Sequence, residues 1–413
     1  MRIKKITSIE ILDSRGKPTI RTFIFLDNDV VASSSIPSGA STGSHEAVEL
    51  RDKNKSRFLG NGVLKAVNNV NSVIASKLIN QKIDEKSFEK IDKMMIELDG
   101  TENKSRLGAN SILSFSQALI RAFSLAVKKP LWLILNQVYF SHLKPNFPRL
   151  MVNVVNGGKH ANWNFDIQEF LISPKTNTPS SAVRIASEIF QQLGKNLKAK
   201  GLSPLVGDEG GYSPALPNNQ SVFEEIITAA KNLGYKNGKE YQLAIDSAAS
   251  EFYQKPNYLF KKENKKLTVD DLITYYKSIK EKYQIFSFED PFAEDDWQGF
   301  KKFTSQIDAQ VVGDDNYTTD PKLIEKGIKE KVTNSVLIKP NQIGTIYETA
   351  LAINLAKKNH WTTVISHRSG ETEDSFIADL SYACSSEFIK TGSMCRSERL
   401  AKYNRLIEIE NKL

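Results

Sequence analysis

The chain has 413 residues, of which 40% are hydrophobic and 25% are charged. This composition is typical of a globular protein and excludes a disordered or collagen-like chain, while the length suits two domains or one large α/β barrel with an added cap. No stretch approaches the about 18 uncharged apolar residues of a transmembrane helix. Glu10 and Asp13 interrupt any apolar segment near the basic N-terminus, so we predict no signal peptide.

The charge balance is basic, with 56 Lys and Arg against 48 Asp and Glu, a net charge of +8. Such a balance fits nucleic acid, an anionic surface or a polyanionic small substrate as partner. The lysines are scattered and their densest run, residues 261–266, lies in a turn-like stretch, which favours a solvated surface over a nucleic-acid patch. Two cysteines, Cys384 and Cys395, form no disulfide framework, and we expect a cytoplasmic protein.

The first part of the chain changes its hydrophobic period once. Residues 3–36 alternate as strands do, and residues 61–127 follow a helical period. Pro145 and Pro148 indicate a crossing into a second domain. We therefore predict an α+β capping domain over residues 1–135 and a barrel domain, which contains the active site, over residues 136–413.

The second part repeats short apolar runs, most of which end in a charged residue. From Asp246 to Glu289 the interval is 43 residues, and from Glu289 onwards the runs recur about every 25 residues with helix-like stretches between them, which is the rhythm of a parallel βα barrel. The eight predicted strands cover residues 151–156, 169–174, 241–246, 285–289, 310–314, 335–339, 362–367 and 388–390. In such barrels the chemistry lies at the carboxyl ends of the strands, where these charged residues fall.

Three carboxylates, Asp246, Glu289 and Asp314, end successive predicted strands. Convergent carboxylates repel one another unless a cation holds them, and a set of hard oxygen ligands favours Mg²⁺ over zinc. For any one of them alone, an ion pair with Lys or Arg is the simpler interpretation. The succession of three favours a metal site.

Basic residues end three of the remaining predicted strands. Lys339 beside bound cations would have a lowered pKa and serve as a general base, although a structural ion pair is the alternative. His367, Arg368, Ser369 and Lys390 lie where barrels often bind phosphate, and a surface ion pair is the alternative for Arg368.

Two loops and one histidine complete the candidate site. Residues 36–47 form a loop rich in small residues that contains Ser41 and resembles either a ligand-covering loop or an ordinary turn. Glu209 lies among glycines, where a buried carboxyl can have a raised pKa and act as a general acid. His160 follows the first barrel strand and is weak evidence alone.

The motifs, taken in order, resemble those of the enolase family over essentially the whole chain. They are SGASTG (38–43), NGGKHA (156–161), QEF (168–170), GDEGG (207–211), EDPFAEDDW (289–297), GDD (313–315), LIKPNQIGT (337–345) and SHRSGETED (366–374). The resemblance implies an eight-stranded enolase-type α/β barrel with a smaller N-terminal α+β domain. It also implies Mg²⁺-dependent, reversible dehydration of 2-phosphoglycerate to phosphoenolpyruvate, a step of glycolysis.

The resemblance also implies roles for single residues. Lys339 resembles the base and Glu209 the acid, with Glu169 supporting it. Two Mg²⁺ ions are implied per site: the first on Asp246, Glu289 and Asp314, and the second arriving with substrate at the Ser41 loop. The implied substrate contacts are His160, Gln168, Glu169, Glu289, Asp314, His367, Arg368, Ser369 and Lys390.

Two departures from the family pattern stand out. Arg21 replaces an acidic residue that pairs, in the family, with an arginine near the partner subunit's C-terminus, and this chain has Glu408 there. We therefore predict a homodimer with a charge-reversed Arg21–Glu408 pair, and the alternative of an octamer stays open. Trp163 stands where small or acidic residues are usual, which bears on turnover rate.

Other functions remain alternatives at this stage. Racemases or cycloisomerases of the same superfamily share the barrel carboxylates but lack this combination of motifs. A catalytically weak paralogue acting as a binding protein is the alternative from another class, with an RNA-degrading assembly or host proteins at the cell surface as partners. Salt-sensitive RNA binding would support that role.

Overall fold

The structure is a computed structural model that describes residues 1–39 and 43–413. Its strands are β1 (Ile3–Leu12), β2 (Pro18–Leu26), β3 (Val31–Ser35), β4 (Arg149–Asn156), β5 (Glu169–Pro174), β6 (Tyr241–Asp246), β7 (Tyr253–Gln254), β8 (Asn257–Phe260), β9 (Lys265–Leu267), β10 (Ile285–Glu289), β11 (Gln310–Gly313), β12 (Ser335–Ile338), β13 (Thr362–Ser366) and β14 (Phe388–Lys390).

The α-helices lie mainly between these strands. They are α1 (Leu64–Asn68), α2 (Ala75–Leu78), α3 (Ser87–Asp99), α4 (Ala109–Ala126), α5 (Leu131–Tyr139), α6 (Pro179–Ala199), α7 (Asn219–Asn232), α8 (Val269–Tyr283), α9 (Trp297–Thr304), α10 (Pro321–Glu330), α11 (Pro340–Ile343), α12 (Ile346–Lys358), α13 (Phe376–Ala383) and α14 (Ser397–Glu410). A π-helical turn, Asn69–Ile74, joins α1 to α2. Short 3₁₀ turns occupy Phe58–Gly60, Gly158–Ala161 and Ala249–Phe252.

The N-terminal part is an antiparallel sheet, in the order β1–β2–β3, covered by helices. Nearly every residue of α4 is buried, because the helix packs between this sheet and the barrel. One apolar cluster joins Ile24 and Phe115 of the N-terminal part with Ile353 and Leu380 of the barrel helices. The strands predicted within residues 3–36 and the helices predicted within residues 61–127 are confirmed.

The C-terminal part is a closed eight-stranded barrel in the order β10–β11–β12–β13–β14–β4–β5–β6. All eight segments predicted as barrel strands are strands of this ring. Its interior is filled by apolar side chains, namely Met151, Leu171, Ala244, Val312, Leu337, Val364 and Phe388. The barrel is therefore a packed core, and any ligand must bind at one of its ends.

The period of the sequence had indicated a fully parallel barrel, but one strand of the barrel runs the other way. Strand β5 is antiparallel to both of its neighbours, β4 and β6. The connection from β4 to β5 holds only the turn Gly158–Ala161 and lacks the crossover helix that a parallel pair normally needs. The chain returns to β6 through two successive helices, α6 and α7, so that β6 again runs the other way.

This reversal brings Glu169, the first residue of β5, to the barrel end where the other strands finish. In the sheet register Glu169 lies opposite Asp246, and Asp246 lies opposite Glu289. On the far side of the ring Lys390 lies opposite Ser366. Backbone pairing alone therefore gathers carboxylates and a lysine at one rim, which we call the barrel mouth.

Candidate active site

A cavity opens at the barrel mouth and is lined almost entirely by polar side chains. Its lining residues are His160, Gln168, Glu169, Glu209, Asp246, Ala248, Asp290, Asp314, Asp315, Lys339, Ser366, His367, Arg368, Ser369 and Lys390. Most of the residues predicted for the site are therefore brought together here. Glu289 lies against Lys390 and is almost wholly buried, and the predicted ligand Ser41 lies outside the described residues.

Lys390 holds three carboxylates on one side of the cavity. Its Nζ lies 2.8 Å from Asp246 Oδ2, 2.8 Å from Glu289 Oε1 and 3.2 Å from Glu169 Oε2. Burial disfavours the ammonium, but these carboxylates outweigh it and raise the pKa of Lys390 well above its usual value. Burial, together with the neighbouring charge of Asp246, raises the pKa of Glu289 well above its usual value.

Lys339 forms a second cluster across the mouth. Its ammonium contacts Asp314 Oδ2, and Gln342 Nε2 donates to Asp314 Oδ1 at 3.0 Å. Burial lowers the pKa of Lys339, yet the charge of Asp314 outweighs burial and leaves that pKa raised. The lowered pKa expected for Lys339 beside cations stays a prediction, and the facing carboxylate of Asp314 acts in the opposite direction.

Glu209 and Glu169 flank His160. His160 Nδ1 lies 3.7 Å from Glu209 Oε1 and 3.8 Å from Glu169 Oε1. Asn153 Nδ2 donates to Glu209 Oε2 at 3.1 Å. Burial and the charge of Glu209 raise the pKa of Glu169 well above its usual value. For Glu209 burial acts in the same direction, but the positive potential of His367, His160 and Arg399 outweighs it and lowers the pKa.

The raised pKa expected for Glu209 is therefore found on its neighbour Glu169. Two buried carboxyl groups so close together cannot both ionise readily, and of the two it is Glu169 whose pKa is raised. Burial and the charge of Arg399 hold the pKa of His367 well below its usual value, against the pull of Glu209. The charges of Arg399 and Lys390 lower the pKa of both Glu209 and His367.

Arg368, His367 and Ser369 are positioned from behind by two other arginines. Arg399, which is fully buried, places Nη1 2.7 Å from His367 Nδ1 and donates to the carbonyl oxygens of Arg368 and Ser369. Arg15 Nη1 donates to Ser369 Oγ at 3.2 Å. Arg368 itself makes a two-pronged contact with Glu46, at 2.9 and 3.0 Å. An anion entering the site would compete with Glu46 for this guanidinium.

Two protein-family models match the chain. Residues 3–135 match the model described as the enolase N-terminal domain, and residues 145–413 match the enolase C-terminal TIM barrel domain. The chain belongs to the enolase family. Membership indicates an enolase-type lyase function and divalent metal binding, together with oligomerisation.

The donor atoms at the mouth fit a hard divalent cation of the kind that the enolase family binds. Asp246, Glu289 and Asp314 offer carboxylate oxygens only, and Glu289 Oε2 is buried with no hydrogen-bond partner among the described residues. The ammonium groups of Lys390 and Lys339 occupy positions where a cation would compensate the same carboxylates.

The three predicted metal ligands, Asp246, Glu289 and Asp314, do not form one compact group. Within the described residues, Asp314 groups with Asp290 and Asp315, whose ligand atoms lie within 4.8 Å of one another. Asp246 and Glu289 are joined instead through Lys390. A second compact group of possible ligand atoms comprises His160, Glu169 and Glu209.

Several residues at this enolase-family site were missed in the sequence. Asp290 and Asp315 line the cavity and directly follow Glu289 and Asp314, so the paired letters ED and DD were the available signal. Glu46, Asn153 and Arg399 act on site residues through contacts between distant segments, for which the local sequence holds no signal.

Among the described residues no helix is both long and apolar enough to span a membrane.

Proposed function

We propose that this chain catalyses the Mg²⁺-dependent, reversible dehydration of 2-phosphoglycerate to phosphoenolpyruvate and water. The observation that carries the proposal is the presence, in one buried cavity, of a lysine paired with a carboxylate and of two neighbouring buried carboxyl groups, Glu169 and Glu209. Removal of a weakly acidic proton next to a carboxylate, with loss of a hydroxyl group, needs a base, an acid and compensation of negative charge.

Lys339 is the proposed base. It follows β12 and reaches the cavity, where its Nζ would accept the proton from C2 of the substrate. Asp314 raises the pKa of Lys339, so the base would be active only when Asp314 is engaged elsewhere. The electron pair of the broken C2–H bond becomes the second bond between C2 and C3.

Glu209 is the proposed acid. Its carboxyl group would give a proton to the C3 hydroxyl, which leaves as water with the electron pair of the C–O bond. The pKa of Glu169 is raised, and its ligand atom lies within 4.8 Å of that of Glu209, so we propose that Glu169 supplies the proton to Glu209. Glu209 contacts β4, three places from β12 in the ring, and we propose that acid and base approach the substrate from different sides, as an anti elimination needs.

The remaining mouth residues would bind and orient the substrate. Arg368 and Ser369 are proposed to hold the phosphate, with Arg368 exchanging Glu46 for phosphate oxygens. His160, Gln168, His367 and Lys390 are proposed as the other contacts, and each lines the cavity. Gln168 Oε1 and His160 Nδ1 are buried without a hydrogen-bond partner among the described residues, which suits groups that await a ligand.

Asp246, Glu289 and Asp314 are proposed to hold the first Mg²⁺, and the Ser41 loop to contribute to the second. When bound, the cations supply positive charge that offsets the dianionic product of proton removal and competes with Lys339 for Asp314. Ser41 is proposed only from the family resemblance.

The proposal is tested by following the ultraviolet absorbance of phosphoenolpyruvate as 2-phosphoglycerate is consumed. Turnover is expected with Mg²⁺ and should disappear with excess chelator. Lys339→Ala should abolish it, while Lys329→Ala, which removes an exposed lysine paired with Glu325 on α10, should leave it unchanged. A folded wild-type chain that shows no turnover with Mg²⁺ would overturn the proposal and favour a binding role for the chain.

We also propose the domain boundary between residues 135 and 136, and a homodimer that uses Arg21 and Glu408 across its interface. Each of these two charges is satisfied within the chain, Arg21 by Glu373 at 3.6 Å and Glu408 by Arg405 at 2.9 Å. A partly exposed pair contributes only about 0.2–1 kcal/mol. In sedimentation experiments Arg21→Glu should therefore weaken the dimer slightly. Adding Glu408→Arg to that variant should restore the dimer. An unchanged dimer in the single variant would contradict the pair.

A further inference from the structure

We infer that Trp163 and Lys261 are positioning residues that hold His160 at the barrel mouth. The inference rests on the proposed function, in which His160 contacts the substrate. Two segments are involved: the His160 loop, residues 157–166 between β4 and β5, and the outer hairpin, residues 251–267, which contains β7, β8 and β9.

Three contacts join the His160 loop to the outer hairpin. Lys261 Nζ lies 5.3 Å from the centre of the Trp163 ring, within the range of a cation–π interaction. Lys159 Nζ lies 3.0 Å from Glu251 Oε1, and the backbone N–H of Lys262 donates to Asp166 Oδ1 at 3.0 Å. The contacts fall at the beginning, middle and end of the loop, so the hairpin fixes its whole length.

The backbone of the loop needs such support. Asn162 and Trp163 both have positive φ angles, of 51° and 60°, which are unfavourable for side chains that carry a Cβ. The N–H of Trp163 donates to the carbonyl oxygen of Gly158 at 2.8 Å, which closes the turn that presents His160. Because Trp163 packs partly against the apolar core and against Lys261, its side chain holds the strained turn in place.

The same loop also contacts the segment that carries the proposed acid. The N–H of Asp208 approaches the carbonyl oxygen of His160 at 3.4 Å, and Asn164 Nδ2 donates to Ser213 Oγ at 2.8 Å. A relaxed His160 loop would therefore shift both His160 and the neighbourhood of Glu209. Trp163, where the enolase family usually has small or acidic residues, links this unit to the hairpin.

The expected effect is on binding more than on chemistry. If the His160 loop adopts its substrate-binding conformation for only a fraction of the time, the apparent affinity for substrate falls by that fraction. The loop is ordered in the bound complex, which therefore reacts normally. Lys261→Ala should raise KM about 2- to 5-fold, as expected for loss of a partly exposed cation–π contact, with a much smaller change in kcat. Trp163→Ala should raise KM further, because it also removes apolar packing.

The variants come in matched pairs. Trp163→Phe and Lys261→Arg keep an aromatic face and a cation, and each should restore most of the affinity. Lys266→Ala removes another exposed lysine of the same hairpin and should behave as the wild type. In the double variant Trp163→Ala/Lys261→Ala the two effects should be less than additive, because both remove one contact.

Hydrogen exchange of the substrate-free chain tests the contact without any assay of turnover. Amides of residues 157–166 should exchange faster in Lys261→Ala than in Lys266→Ala, while the barrel strands stay unchanged. Equal exchange in these two variants, or additive effects on KM, would overturn the inference. An inactive wild-type chain would overturn the proposed function instead, and the exchange measurement would still decide whether Lys261 holds the loop.

Discussion

The interior of the barrel and its mouth are built from the same eight strands, but the two regions bury very different side chains. Leu171, Leu337 and Val364 fill the interior and are completely buried among apolar neighbours. At the mouth the buried groups are ionisable, and atoms such as Glu289 Oε2 lack a hydrogen-bond partner among the described residues. Burial stabilises the fold in the first region, whereas in the second it changes the pKa values and leaves polar atoms available to a ligand.

The largest effect is expected at the mouth. Glu209→Gln should lower kcat for 2-phosphoglycerate about 10²- to 10⁴-fold, because an amide cannot supply the proton of a general acid. The midpoint of thermal unfolding should change little, since Asn153 can still donate to the amide oxygen. Glu325→Gln, at an exposed ion pair on α10, serves as control. Retention of full activity by Glu209→Gln would remove Glu209 from the proposed mechanism.

The interior should show the opposite separation. Leu337→Ala leaves a cavity in the packed barrel and should lower the free energy of unfolding by about 2–5 kcal/mol. KM should stay near the wild-type value in the variant that remains folded. Leu205→Ala, at a side chain that is 75% exposed, is the control and should change stability by less than about 0.5 kcal/mol. A large change in KM without loss of stability would break the distinction between the two regions.

Mg²⁺ should stabilise the chain through the mouth alone. At about 100 times its dissociation constant, a ligand that binds only the folded state adds about 2.7 kcal/mol to the free energy of unfolding. The midpoint of thermal unfolding should accordingly rise with Mg²⁺ in the wild type and much less in Glu289→Gln, which removes one proposed ligand. An equal rise in both proteins would place the bound cation elsewhere.

Asp92 tests whether burial of a carboxyl group is enough to indicate chemistry. It lies in α3, where Ser116 Oγ and the N–H of Tyr347 donate to it at 2.9 Å, and burial raises its pKa to about 7. An unfolded chain ionises near pH 3.9, so the folded state binds the extra proton between about pH 4 and pH 7. Stability should therefore fall as the pH rises through this window, by at most about 1.4 kcal/mol per pH unit.

Asp92→Asn should flatten this pH dependence in denaturant unfolding at pH 5 and pH 8, with kcat and KM unchanged. The control is the wild type measured at the same two pH values. A variant with the same slope as the wild type would assign the pH dependence to other groups. A variant with reduced kcat would show that the mouth is not the sole region on which turnover depends.

Much of the barrel could be predicted because each strand carries its own signal, an apolar run that in most cases ends in a charged residue. The direction of β5 could not be predicted from that signal, because it depends on the connection from β4, which lacks a crossover helix, and not on the strand itself. The site residues at strand ends, such as Asp246 and Lys390, followed from the same pattern. The residues that contact them could not be predicted in this way. Arg399 and His367, for example, lie in different elements, and neither local sequence indicates the contact.

Lys390 follows, along the chain, all three carboxylates that it contacts, and this order has a consequence for synthesis. The carboxylates of Glu169, Asp246 and Glu289 emerge from the ribosome well before the lysine that compensates them. The last strand of the ring, β14, must also arrive before it can pair with β4 and close the barrel. A nascent or truncated chain without its final segment therefore carries an open ring with uncompensated negative charges, so the finished mouth is the last part of the barrel to form.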